Sequence, residues 1–460
     1  MTPPSLHGRA IAPTLHAVDG REHLLVWGDQ GEWLLVDEAC AALLTGVTPG
    51  RTLDQSVSEA AACGLGEVSG LRESVSAIWR VLVGRGLVGG AARTKDRATD
   101  APRICNVTMN LTNRCNLRCA WCYNGLRKTP EASAGEIMGA LGRGRGVLSD
   151  SASLIVLGGE PFVRFDALVE VLDRASDLFR PRVLVSTNGT LVRPEYAKVL
   201  ATRHVEVQVS IDSPDPTEHD GVRGPGAFER SLRGIRHLVA AGVPTILSMV
   251  YSSRTWFRFE AYLDMARTLG VQEARFIPLR LVGQGTAHRE ILPDQAVAFD
   301  HLLDVAARRP DLRSLLGRDY FSILVKQCAR STKRASCGVG DQVLFVDADG
   351  SLYPCPNHVS PAMRVGSLLE GDLATTLARS PVLRGIRETY RVERYDGCAT
   401  CVFRRWCAGD CRGEVIAAGL GPWAPSVHCE ELKKIHLQAL WLAARRDPRL
   451  TMTATDSLSC

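Results

Sequence analysis

The residues of this chain best equipped for chemistry are Cys115, Cys119 and Cys122, a C-x3-C-x2-C triplet within the run Asn110-Leu-Thr-Asn-Arg-Cys-Asn-Leu-Arg-Cys-Ala-Trp-Cys122. Three thiolates this close can hold three irons of a cubane iron–sulfur cluster, and such clusters normally take four cysteines. The remaining iron is open to a substrate or cofactor, which makes the triplet a chemical site and not a plain electron relay. A disulfide with a spare thiol would need an oxidising compartment. A zinc site would need a fourth ligand nearby, and neither His nor Cys follows closely.

Eight more of the fifteen cysteines fall between Cys328 and Cys429. After Cys328 come Cys337 and Cys355, the latter behind Gly350 in G-x4-C. Then follow Cys398-x2-Cys401-x5-Cys407-x3-Cys411 and finally Cys429. The C-x2-C and C-x3-C spacings suit zinc as well as iron–sulfur clusters. Cys40 and Cys63 read as small apolar fillers on helices, while Cys105 and Cys460 stand isolated.

The triplet needs a scaffold, and from residue 104 onward strand and helix patterns alternate. Strands are predicted at 104–111, 153–158, 182–187, 205–211, 244–250 and 274–279, with helices between them such as Phe165–Phe179 and Ala227–Ala241. Six such units predict a parallel sheet or partial barrel, in which ligands gather at the C-terminal strand ends. The triplet follows the first strand. The second strand ends in Gly158-Gly159-Glu160-Pro161, where glycines allow close backbone approach and a carboxylate can take an amino group. Ser186 and Asn188 end the third strand, and Ser210 and Asp212 the fourth. These small polar groups suit ribose hydroxyls and a carboxylate; turn chemistry and helix capping are the competing reading.

Residues 12–90 read as a separate α+β unit of winged-helix-like order: two strands around Asp29-Gln-Gly31, then three helices, the second with Thr52 as N-cap. Residues 89–102 are small and polar, as a linker would be. From about 315 to 430 the pattern breaks into short Gly-, Pro- and Cys-containing segments that bury little core and call for metal as a staple. A helix over Glu430–Arg445 closes the fold, followed by a frayed tail. The net charge of +5 over 460 residues gives no argument for nucleic acid or an anionic membrane surface. No secretion signal or membrane-length apolar run is visible, so a cytoplasmic, reducing location is expected.

The triplet with Trp121 in C-x3-C-x-aromatic-C, the Gly-Gly-Glu-Pro strand end and the Ser210-Ile-Asp212 strand end together resemble the radical S-adenosylmethionine (SAM) superfamily over residues 104–290. The resemblance implies an α/β fold built on a partial (β/α)6 TIM-like barrel. It implies that Cys115, Cys119 and Cys122 hold a [4Fe–4S] cluster whose open iron takes the amino and carboxylate groups of SAM. Gly158, Gly159, Glu160 and Pro161 would position the methionine amino group, and Ser186, Asn188, Ser210 and Asp212 would contact ribose or carboxylate. Trp121 would lie near the adenine, and Arg223 would reach the SAM carboxylate. An electron from the cluster would cleave the sulfonium bond and give a 5′-deoxyadenosyl radical, so that the cofactor carries the hard chemistry. A donor such as flavodoxin or ferredoxin would supply the electron.

The later cysteines resemble the SPASM extension, which carries two auxiliary [4Fe–4S] clusters, three clusters in all. Cys398, Cys401, Cys407 and Cys429 would fill the outer one, and Cys337, Cys355 and Cys411 the inner one. The inner set is one short: Cys328 reaches back, or an iron stays open. Residues 12–90, ending in Arg80-Val-Leu-Val-Gly-Arg-Gly-Leu-Val, resemble a PqqD-like element that binds the leader of a ribosomally made precursor peptide by strand addition. The expected layout is a recognition element at 1–92, a linker at 93–103, the barrel at 104–314, the SPASM region at 315–447 and a tail at 448–460. The expected function is hydrogen abstraction from a precursor peptide to form a thioether or a carbon–carbon or carbon–oxygen crosslink. Oxidation of a protein residue or small cofactor precursor is the alternative enzyme; an iron–sulfur redox regulator is the non-enzymatic one.

Overall fold

The computed structural model describes residues 10–449 apart from 65–66, 90–102, 126, 180–181 and 331–333. The expected linker (except Arg103), nearly all of the tail and Cys460 lie outside the described residues.

A nine-stranded sheet carries the fold. Its six central strands are β4 (Ile104–Asn110), β5 (Leu148–Leu157), β6 (Val183–Thr187), β7 (Glu206–Ser210), β8 (Thr245–Tyr251) and β9 (Glu273–Pro278). They lie side by side in chain order and all parallel. This is the expected partial barrel, with each predicted strand present. Val107, Val156, Val185, Val207, Leu247 and Phe276 are fully buried, as strands covered on both faces require. The crossover helices are set by local signals, such as the Ser133/Glu136 capping box before the helix Ala134–Arg143. At the opposite, N-terminal strand ends, Arg182, Glu206, Glu273 and Arg318 form ion pairs.

The cysteine-rich region is more regular than its sequence suggests. Three strands extend the sheet past β4: β10 (Val343–Val346), parallel to β4, then the antiparallel β11 (Ser351–Tyr353) and β12 (Gly366–Ser367). Val339, Ile386, Tyr390, Val392, Tyr395 and Cys398 form a small core of their own. The expectation of little buried core is corrected here. It overlooked that β10 joins an existing sheet edge and so inherits its burial. The closing helix runs Cys429–Arg445.

Residues 10–89 form a three-stranded antiparallel sheet, β1 (Leu15–Asp19), β2 (Glu22–Trp27) and β3 (Glu32–Val36), with three α-helices. One strand more is present than expected; β1 is mostly exposed and lacks the apolar run that marks β2. Alternation along β2 explains how the unit is held. Leu25 and Trp27 enter its own core with Trp79 and Leu82, while Leu24 and Val26 enter the main core. Trp33 Nε1 donates to Cys328 O at 2.7 Å, and Arg445 pairs with Asp19 and Glu22. Gly28 sits where a Cβ would lie 2.4 Å from Val402 O, so the β2–β3 turn rests on the loop between Cys401 and Cys407. Cys63 is exposed at a helix C-cap and fills no core, which corrects its reading as an apolar filler. Cys105, isolated in sequence, is disulfide-bonded.

Candidate functional site

The cysteine loop leaves β4 at its C-terminal end and is held from below by polar side chains. Asn110 Nδ2 donates to Asn113 Oδ1 (3.0 Å) and Asn124 Oδ1 (3.1 Å). Asn113 Nδ2 donates to Asp347 Oδ1 at 2.9 Å, and Arg127 Nη1 reaches Asp347 Oδ2 at 2.6 Å. Asp347 stands in the β10–β11 turn, whose Gly350 has φ +82°. A residue of the later cysteine region therefore anchors the first cysteine loop.

Gly158 and Gly159 press directly on that loop. Gly159 N donates to Thr112 O (2.7 Å) and Glu160 N to Arg114 O (2.9 Å). A Cβ on Gly158 would lie 2.5 Å from Thr112 O, and one on Gly159 would lie 2.3 Å from Arg114 O. Here the backbone that approaches the glycines is the loop itself. Glu160 is fully buried and accepts from Thr187 Oγ1 (2.6 Å), Asn188 N (2.7 Å) and Phe162 N (3.1 Å). Burial pushes its carboxyl up in spite of these donors. Asn188 Nδ2 donates to Asn116 Oδ1 at 3.0 Å, tying the end of β6 to the residue after Cys115.

Asp212, after β7, accepts both arms of Arg223 at 2.7 and 3.1 Å. It also accepts from Val250 N, and its own N–H donates to His219 Nδ1. Burial raises the Cys119 thiol, and the Arg223 charge opposes that rise, which places a guanidinium beside the loop. Ser186 lies 3.5 Å from Gln208 Nε2, and Ser210 pairs in register with Ser248. Trp121 stacks edge-on against His288 with ring centroids 5.8 Å apart.

The later cysteines fall into two groups. Cys398, Cys401, Cys407 and Cys429 line a hollow of about 300 Å³ with Phe403 and His436. Cys337, Cys355 and Cys411 act electrostatically on one another. Burial pushes Cys115 and Cys398 up to about 11 and Cys407 up to about 12.

 At Cys115, burial outweighs the Leu117 N–H, which lies 3.4 Å from the sulfur, and the thiol stays near about 11. Such thiols give up their protons to a metal and not to water, so metal binding and deprotonation are coupled. Among the described residues no three Cys, His, Asp or Glu side chains converge on a single ion. The outer four cysteines stand around a space, an arrangement that fits a group larger than a single ion.

Cys328 does not join the inner group. It is fully buried on the helix Tyr320–Cys328, and among the described residues the charge acting on its thiol is that of Arg334, not of another cysteine. The rim between barrel and clusters is charged instead. Arg280, after β9, pairs with Asp410 (3.0 Å) and Glu414 (2.6 Å). Burial would raise Asp410, but Arg280 holds it down at about 2. Burial would depress His428, but its bonds to Glu414 and Glu431 push it up to about 9. Sequence reasoning missed Asn113, Asp347, Arg280, Asp410 and Glu414. Asn113 lay inside the quoted run and Asp347 three residues before Gly350, but nothing in one dimension joins them.

A family model described as the radical SAM superfamily matches residues 109–266, and one described as an iron–sulfur cluster-binding domain, SPASM, matches residues 337–402. The chain is 29% identical over 349 residues to the mycofactocin maturase MftC of Mycobacterium tuberculosis, covering 73% of this chain and 84% of that protein. It is 31% identical over 332 residues to the AdoMet-dependent heme synthase of Nitratidesulfovibrio vulgaris, covering 66% of this chain and 86% of that protein. Among solved structures, SuiB of Streptococcus suis superposes with a TM-score of 0.57 at 14% identity, covering 92% of this chain and all of that one. That coverage leaves too few residues unmatched to exclude the N-terminal unit. With the cysteine loop at the barrel's C-terminal face and the cysteine-rich region beside it, the chain belongs to the radical SAM superfamily and is an enzyme with an SPASM iron–sulfur domain.

Proposed function

We propose that this enzyme modifies a ribosomally made precursor peptide, with the leader held by residues 10–89 and the core segment at the barrel mouth. The observation that carries this reading is the N-terminal unit, which has its own core yet is seated on the loop between Cys401 and Cys407. The SuiB fold extends over it, and SuiB has been solved bound to the precursor peptide SuiA. An unpaired edge of the small sheet suits strand addition. At the β3 edge Arg85 holds Trp33 O at 3.0 Å and would have to yield to a peptide there.

In this reading Cys115, Cys119 and Cys122 hold the SAM-binding cluster, Cys337, Cys355 and Cys411 the inner auxiliary cluster, and Cys398, Cys401, Cys407 and Cys429 the outer one, three in all. SAM on a reduced cluster supplies a hydrogen-abstracting radical. Arg223, aimed by Asp212, is the cation for the SAM carboxylate. Glu160 and Asn188 hold the loop and strand ends in place, since their polar atoms are already bonded to protein. The peptide product would be a thioether or a carbon–carbon or carbon–oxygen crosslink, with flavodoxin or ferredoxin as electron donor. A second reading, oxidation of a small cofactor precursor, is favoured by the identity to the heme synthase.

The test is anaerobic reconstitution, with iron and sulfide counted and 5′-deoxyadenosine assayed under dithionite. A short precursor encoded beside the gene is then added with and without its leader. Leader-dependent mass loss on the peptide supports the proposal. Leader-independent turnover, or turnover of a porphyrin precursor alone, favours the second reading.

A further inference from the structure

The turn after Cys355 carries a feature that ligation alone does not use. Asn357 Nδ2 lies 3.3 Å from Cys411 Sγ, and His358 Nδ1 lies 3.0 Å from Cys355 Sγ. On the far side of the ring, His358 Nε2 lies 3.1 Å from the Tyr390 hydroxyl. A neutral imidazole carries one N–H. With Nδ1–H donating to sulfur, Nε2 accepts from the Tyr390 O–H, which fixes the ring in place. His358 and Tyr390 are both buried. Asn357 reaches Cys411 because Gly413 has no side chain: a Cβ there would lie 2.4 Å from Asn357 O. The Nδ1–Sγ separation is that of a hydrogen bond from His358 to Cys355.

The two cysteine groups differ in this respect. Among the described residues, side-chain hydrogen bonds to the seven cysteines of the two groups fall on Cys355 and Cys411 and on none of the outer four. Backbone N–H groups of Asn357 and His358 also favour the Cys355 thiolate. A donor aimed at a cluster sulfur stabilises negative charge there. Reduction adds that charge, so the donor raises the reduction potential.

Resting on the cluster assignment above, we propose that Asn357 and the Tyr390-held His358 are positioning residues that make the inner auxiliary cluster the more easily reduced of the two. The substrate radical left by hydrogen abstraction then loses one electron and one proton as its new bond forms. A cluster held by Cys337, Cys355 and Cys411 would supply the acceptor for that electron, and the proton would leave to solvent.

The experiment is an EPR redox titration of the reconstituted full-length enzyme, with signals assigned by loss in Cys355→Ala and Cys401→Ala. In His358→Leu the reduced-to-oxidised ratio of the inner cluster at the wild-type midpoint should fall about tenfold, a drop of about 59 mV for one electron. Iron, sulfide and the outer midpoint should not change. Asn357→Leu should shift the inner midpoint the same way, Tyr390→Phe should shift it less, and His358→Gln, which keeps an N–H, should recover part of the loss. Unshifted midpoints in the His358 and Asn357 variants, or an inner cluster harder to reduce than the outer, overturn the proposal while the ligand assignment stands. Loss of a cluster's iron in His358→Leu and His358→Gln makes His358 a ligand and overturns it too. Absence of any signal that Cys355→Ala removes overturns the cluster assignment itself.

Discussion

The loop at Cys115–Cys122 and the cysteines from Cys337 to Cys429 are held in place in opposite ways. In the loop the chain itself brings three thiols together within eight consecutive residues. The parallel sheet beneath is complete without them, and Asn110, Asn113, Glu160 and Asn188 brace the loop from strand ends. In the later region seven thiols come from separate short elements around a small core, and they meet only when those elements are assembled. The fold positions the first site, whereas iron at the second contributes to its own scaffold. The difference teaches where each site is fragile: at its braces in one, at its ligands in the other.

The largest effects come from the thiols. Cys119→Ala should abolish SAM cleavage and leave auxiliary iron in place. Cys401→Ala should spare SAM cleavage and stop product formation. 5′-Deoxyadenosine, product mass and iron counts separate the two, and wild-type product formation by Cys401→Ala would remove the outer auxiliary cluster from the reaction. Next is Asp347→Ala, which crosses the comparison because a residue of the later region braces the first loop. It removes one shared acceptor from Asn110, Asn113 and Arg127 and should cost about 3 kcal/mol. Urea unfolding would read the loss, and SAM cleavage should fall with it. Intact SAM cleavage would show that the loop does not need this brace.

The barrel side also has an acid-sensitive point. His219 is buried, accepts the Asp212 N–H through Nδ1, and among the described residues has no partner for Nε2. Burial holds its pKa down at about 4. The unfolded chain takes up a proton near pH 6.5, which the folded chain refuses until about pH 4. Stability from this group is therefore full above about pH 6.5 and is lost as pH falls toward 4, about 3 kcal/mol in all. His219→Gln keeps an acceptor and cannot be charged, so its unfolding free energy should change less between about pH 7 and pH 5. An unchanged slope would place the acid sensitivity elsewhere.

Much of the first site was legible because its determinants are local. The triplet, the glycines before Glu160 and the six strand patterns each occupy a few consecutive residues, and periodicity places them on one face. The braces were not legible. Asn113 meets Asp347 across more than two hundred residues, through the parallel pairing of β10 with β4, which no local pattern announces. Arg280, after β9, meets Glu414 across more than a hundred residues. In the later region the resemblance to the SPASM extension implied the two cysteine groups, but the donors at Asn357 and His358 read as ordinary turn residues. The β1 strand was missed because its side chains are mostly exposed and alternate weakly.

The smallest expected effect tests the comparison most directly, because the two regions share one construction detail. Gly159 and Gly413 each sit where a Cβ would strike a carbonyl oxygen, Arg114 O at 2.3 Å and Asn357 O at 2.4 Å. Backbone cannot swing aside as a side-chain tip can, so each alanine should cost about 1–3 kcal/mol as local overpacking. In Gly159→Ala the displaced segment is the cysteine loop, so SAM cleavage should drop while auxiliary iron stays. In Gly413→Ala the displaced segment carries Asn357 away from Cys411, so inner-cluster iron or its midpoint should change while SAM cleavage stays. Iron counts, EPR and 5′-deoxyadenosine on the two variants read all four quantities. If either variant loses both activities together, the loop and the later region form one cooperative unit through Asp347, and the contrast between a site braced by its fold and one assembled by its metal no longer holds.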